Sequence, residues 1–108
     1  MYYIIVYSFT SSVDPKKQTE IESEIVSSVE NILVKKGSLN MKPLPNAIFF
    51  SSSDFDTQSE VFDAVTKIAE KNPDAFELIF TKVDNKNFSA ILEKEKWSDF
   101  DKVTAASA

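Results

Sequence analysis

Residues 2–9, YYIIVYSF, are apolar or aromatic at every position but Ser8. A run of that texture belongs to a strand in the middle of a sheet, covered on both faces. Side chains alternate across a strand, so Tyr2, Ile4 and Val6 serve one face while Tyr3, Ile5, Tyr7 and Phe9 serve the other. The rest of the chain has to provide two covers.

One cover is easily found. Asp14-Pro15 is a helix start, with Asp as N-cap and Pro at the first helical position. From there to Lys36, the residues Ile21, Ile25, Val29, Ile32 and Leu33 recur at spacings of three and four, which predicts one long amphipathic helix. Glu20, Glu22 and Glu24 lie toward its positive end, Lys35 and Lys36 sit at its negative end, and Gly37 stops it. Ser38–Lys42 reads as a short edge strand, Pro43-Leu44-Pro45 as a turn, and Ala47–Ser51 as a compact strand. Thr57-Gln58-Ser59-Glu60 matches a capping box, opening a second helix with the stripe Val61, Phe62, Val65, Ile68 and Ala69. Asn72-Pro73 ends it. Ala75–Val83 is another strand, Asp84–Asn87 a turn, and 88–92 (FSAIL) is open to a last strand.

The order β-α-β-β-α-β predicts an α+β fold: a ferredoxin-like split β-α-β sandwich, mostly antiparallel, with both helices on one sheet face. Residues 1–92 form that domain. Residues 93–108 read as a charged, partly disordered C-terminal tail containing Trp97 and Phe100. Two helices on one side leave the second apolar face open, and soluble monomers rarely expose such a patch. Either the tail, with Leu92, Trp97 and Phe100, folds across it, or a second subunit covers it. The expectation carried forward is a homodimer.

Composition removes most chemistries. The chain has no histidine, cysteine or arginine, so it lacks the usual general base near pH 7, any thiolate or zinc–sulfur site, and the bidentate fork for phosphate. Its one glycine rules out phosphate-cradling and dinucleotide loops. Ser8, Ser11, Ser12 and Ser51–Ser53 have neither a histidine nor a nucleophile elbow to activate them, and no motif places a lysine beside any of them. Twelve lysines face seventeen acids, for a net charge of −5, which argues against direct binding to bare nucleic acid. The opening run is too short to span a bilayer and no small-residue cleavage site follows it, so a cytoplasmic protein without membrane contact is expected.

The opening YYIIVYSF, a long helix ending in Gly37, the Pro-bounded entry LPNAIFFSS and a short second helix before a final strand together resemble one family. They are similar, over residues 1–92, to the small CRISPR-associated endoribonucleases of the spacer-acquisition complex and their toxin-like relatives. The resemblance implies a homodimer joined through its sheets. In that family a Tyr-Asp pair ends the first strand, and its aspartate holds a divalent metal. Here the pair is Tyr7-Ser8, and serine is a poor magnesium ligand beside a carboxylate. The resemblance therefore implies a non-catalytic relative.

Individual candidates read as follows. Asp14, Asp54 and Asp56 read as helix-capping carboxylates, of which a metal-dependent nuclease would have to borrow Asp14 and Asp54 as ligands. No cofactor is expected. Glu20, Glu22 and Glu24, with Tyr3, Tyr7, Phe9, Trp97 and Phe100, make the candidate interaction surface. The expected function is a non-enzymatic protein-interaction module, a small acidic homodimer that binds or inhibits a nucleic-acid-processing protein. Acidic mimicry of a nucleic-acid backbone, as in anti-defence proteins of phages and mobile elements, is its sharper version. The alternative is a divalent-metal-dependent nuclease. A ligand held between the sheets of a dimer is a third possibility.

Overall fold

A computed structural model of the chain describes residues 1–84 and 90–106. It runs β1 (Tyr2–Phe9), α1 (Pro15–Lys35), β2 (Asn40–Met41), β3 (Ala47–Ser51), α2 (Phe55–Lys71) and β4 (Phe76–Val83), then a 3-10 turn at Lys94–Lys96 and α3 (Trp97–Ala106). The strands form one sheet in the order β2-β3-β1-β4, and every pairing is antiparallel. The fold is α+β and compatible with a split β-α-β sandwich. It departs from the expected order in its third helix. Residues 85–89 and 107–108 fall outside the described residues, and with them most of the turn read at Asp84–Asn87, the start of the strand read at 88–92 and the tip of the tail. Ala90–Leu92 form no strand.

The helix signals resolve into particular contacts. The Asp14 carboxylate accepts the Lys17 N–H at 2.9 Å, and Pro15 occupies the first turn, where its missing N–H costs nothing. Past the last turn, Gly37 takes φ +69°, a left-handed value that glycine adopts without strain. At α2 the predicted start is corrected. The N-cap is Asp54, whose carboxylate accepts the Asp56 N–H at 2.8 Å. Thr57 is therefore inside the first turn, where its buried hydroxyl finds no hydrogen-bond partner among the described residues. Asp54 has the advantage of a preceding brace: its N–H donates to Ser52 Oγ at 3.1 Å, and that hydroxyl donates back to the Asp54 carbonyl at 3.0 Å.

Two cores form, one on each side of the sheet. Under α1 and α2 lie Tyr3, Ile5 and Tyr7 of β1, Ile48 and Phe50 of β3, and the helix residues Ile21, Ile25, Val29, Leu33, Val61, Val65 and Ile68. Tyr3 stacks on Phe50 at 5.3 Å, and Phe80 meets Tyr3 edge-on at 5.8 Å. Each fully buried large side chain contributes roughly 1.5–3 kcal/mol by leaving water, so this layer supplies most of the stability. The helices run antiparallel, with Lys36 at the end of α1 reaching Asp54 (3.5 Å) and Glu60 (3.2 Å) at the start of α2.

The second core is smaller. Tyr2, Met41 and Phe49 are buried with Val103 of α3, and Ile4, Val83 and Phe100 pack around them. The segment expected as a charged tail is thus a helix that covers one end of the open face. Phe100 stacks on Phe49 at 5.2 Å, Trp97 meets Phe100 edge-on at 5.4 Å, and the Tyr2 hydroxyl donates to the Thr104 carbonyl at 2.8 Å. Trp97, Phe100, Val103 and Thr104 form a helical stripe whose first half is hidden among the charges of EKEKWSDFDK.

Candidate interaction surface

α3 covers the Tyr2 end of the open face and leaves the rest. Val6 and Ile79 are neighbours in the β1–β4 register and are 41% and 69% exposed. Val6 also pairs with Ala47, whose N–H donates to the Leu44 carbonyl at 3.2 Å. That brings Leu44, 54% exposed, to the same side. Next to it is an apolar cavity of about 220 Å³, walled by Ile4, Pro43, Leu44, Phe49, Phe100 and 90–92. Ile91 at its rim is 97% exposed. Lys96 Nζ donates to the Pro43 carbonyl at 3.1 Å and ties the 3-10 turn to this loop. The outcome is an exposed apolar band from Ile79 across Val6 and Leu44 to Ile91, with Trp97 (37% exposed) on the neighbouring helix. Bands of this kind on a folded domain mark contact surfaces.

The residues singled out from sequence fall into three groups. Tyr3 and Tyr7 are 1% and 2% exposed and belong to the core under the helices, and Phe9 packs against that same core. As surface residues they are corrected: alternation separated the two sides of β1 but did not say which side the helices take. Trp97 and Phe100 are on the open side, as the helix that partly closes it. Glu20, Glu22 and Glu24 diverge. Glu20 is exposed and pairs loosely with Lys17 at 3.9 Å, Glu24 is ion-paired with Lys71 of α2, and Glu22 turns inward to accept the Tyr7 hydroxyl at 3.1 Å.

That inward contact belongs to a polar knot in the helix-side core. Lys42 Nζ also donates to the Tyr7 oxygen, at 3.3 Å. Burial pushes the Tyr7 hydroxyl well above the usual tyrosine range, and the charge and hydrogen bond of Glu22 push it further. A neutral phenol held that firmly is a structural donor. It is poorly suited to act as a base or nucleophile at neutral pH. Lys36 is also raised, chiefly by its hydrogen bond and charge interaction with Glu60.

The borrowed carboxylates do not meet. Asp14 caps the start of α1, whereas Asp54 lies against Lys36 at the far end of that helix. A helix of 21 residues separates them, about 32 Å at the usual rise per residue. Among the described residues, no three of His, Cys, Asp or Glu converge as metal ligands, and no helix is long and apolar enough to cross a membrane. No sequence signal marked Leu44 and Ile91 as surface residues. A Pro-flanked leucine and an isoleucine near a chain end both read as ordinary turn or strand residues.

Comparison with protein-family models gave no match, and none of the curated proteins matches the chain.

Proposed function

We propose that this chain is a non-enzymatic protein-interaction module built on a ferredoxin-like sandwich, and that it works as a small acidic homodimer. The observation that carries the reading is the apolar band Ile79–Val6–Leu44–Ile91 left open beside α3. The fold covers one sheet face with two helices and one end of the other with a third. A domain that spends a C-terminal helix on one end of that face and leaves the rest apolar keeps the remainder for a partner. The sandwich assignment draws support from the β2-β3-β1-β4 order and the side-by-side packing of α1 and α2.

The partner class we assign is a protein with a basic surface around an apolar pocket, as nucleic-acid-processing proteins have. The net charge of −5 favours such a surface by steering encounter. Acidic mimicry by the start of α1 is the weaker version, because Glu22 and Glu24 are already held by Tyr7 and Lys71. The metal-dependent nuclease has even less support, since its two borrowed ligands cap opposite ends of the helix layer.

Affinity capture from source-organism lysate at low salt, assayed for protein and for nucleic acid, tests the class. One protein retained at stoichiometric level and without nucleic acid is the expected result. Nucleic acid retained directly, or magnesium-dependent cleavage lost in Asp14→Asn, would overturn it.

A further inference from the structure

β4 is an edge strand: it pairs with β1 on one side, and among the described residues no strand pairs with its other side. The direction of its backbone groups follows from two hydrogen bonds. The Thr10 N–H donates to the Ala75 carbonyl at 2.9 Å, and the Tyr7 N–H to the Asn46 carbonyl at 3.0 Å. Bonded pairs alternate along an antiparallel ladder. Odd-numbered residues of β1 therefore bond to β3, and even-numbered ones bond to odd-numbered residues of β4. The N–H and C=O groups of Phe76, Leu78, Phe80 and Lys82 are aimed at the open edge, the Lys82 carbonyl also accepting the Thr81 hydroxyl at 3.2 Å.

Natural edges are blunted by proline, bulges, short length or a central charge. β4 has eight residues, no proline and an unbroken register, and its charges Glu77 and Lys82 lie toward its ends. Ile79, at its middle, is the most exposed apolar residue of the sheet, and Phe62 of α2 is half exposed over Phe80 on the other side. The edge is apolar above and below.

We infer that this edge pairs with the same edge of a second copy, antiparallel about a two-fold axis at Ile79, making one continuous eight-stranded sheet. The strand is self-complementary in that register. Phe76 falls opposite Lys82 of the second copy and Leu78 opposite its Phe80, so every outward donor and acceptor is paired. A shift of two residues leaves one bonded pair without its place in the strand. Ile79 meets its own copy at a non-hydrogen-bonded pair, where side chains approach most closely. Glu77 lies opposite Thr81, clear of its own copy, so no like charges face each other across the pairing. A foreign strand would need the same pattern by coincidence, whereas a second copy carries it by identity.

The inference rests on the homodimer in the proposed function and deepens it. A two-fold axis perpendicular to the sheet places both open faces on the same side, so the dimer offers two copies of the apolar band to one partner surface.

The chain has no cysteine, so Ile79→Cys is a clean probe. The Cα separation of a non-hydrogen-bonded pair, about 4.5 Å, lies within disulfide reach. Mild oxidation of Ile79→Cys should give a covalent dimer in high yield. Val6→Cys, three strand spacings from its copy or about 14 Å, should give none. By light scattering at tens of micromolar, a concentration of the order used for such measurements, wild type should be dimeric. Ile79→Lys should weaken the dimer at least tenfold with its circular dichroism unchanged. If that variant misfolds, the cysteine pair still decides. A wild type that stays monomeric overturns both the inference and the homodimer. A dimer that cross-links through Val6→Cys and not through Ile79→Cys overturns the edge alone and leaves the homodimer standing.

Discussion

Tyr7 shows how one residue is read at two levels. Its strand parity was legible in YYIIVYSF; its partner was not, because Glu22 comes from a helix whose rotation no local rule fixes to a single residue. The O–H of Tyr7 donates to Glu22 inside the main core, and Tyr7→Phe should cost about 1 kcal/mol in urea unfolding. Because folding raises the hydroxyl's affinity for its proton, the stabilisation is fully present below the unfolded tyrosine value of about 10. It is lost as pH climbs from there toward the raised folded value. Tyr7→Phe should therefore flatten the loss of stability above pH 10 relative to wild type, and parallel alkaline limbs would contradict this. Asp14 is the opposite case. Its capping role was readable from Asp-Pro alone, and Asp14→Ala should lower stability by about 1 kcal/mol without altering circular dichroism at neutral pH.

Among the elements, the long helices and the strands at 2–9, 47–51 and 76–83 could be read because their apolar spacing runs uninterrupted. α3 could not. Its stripe of Trp97, Phe100 and Val103 is only two turns long and lies among seven charged side chains of residues 93–102, so composition outweighed periodicity. The start of α2 was misplaced for a related reason. A capping-box pattern at Thr57 competed with an Asp that a serine hydroxyl already held in place. The packing of α3 makes its own prediction. Phe100→Ala should cost about 2–3 kcal/mol, at or just below the 3–5 kcal/mol of a fully buried Phe, because the ring is partly and not completely buried. Phe49→Ala, at 0% exposure, should reach that full range. A denaturant series in which Phe100→Ala matched wild type would mean that α3 does not close the second core.

For the whole molecule, the fold class was legible because two covers had to be found for one strand. The sequence located one cover in the helices and left the other divided between tail and partner. In the structure α3 takes the Tyr2 end, and the band from Ile79 to Ile91 stays open. The exposed apolar band escaped sequence reading because Leu44 and Ile91 are brought beside Val6 only by the fold. On the proposed function, this band and not the acidic helix layer meets the partner. The direct measurement compares capture by wild type, by Leu44→Lys/Ile91→Lys and by Glu20→Lys/Glu30→Lys, two exposed carboxylates of α1, each confirmed folded by its thermal transition. The first pair of substitutions should cut recovery of the partner at least tenfold, while the second should weaken it only at low salt. Full recovery with the band charged, and loss with the helix reversed, would contradict that reading.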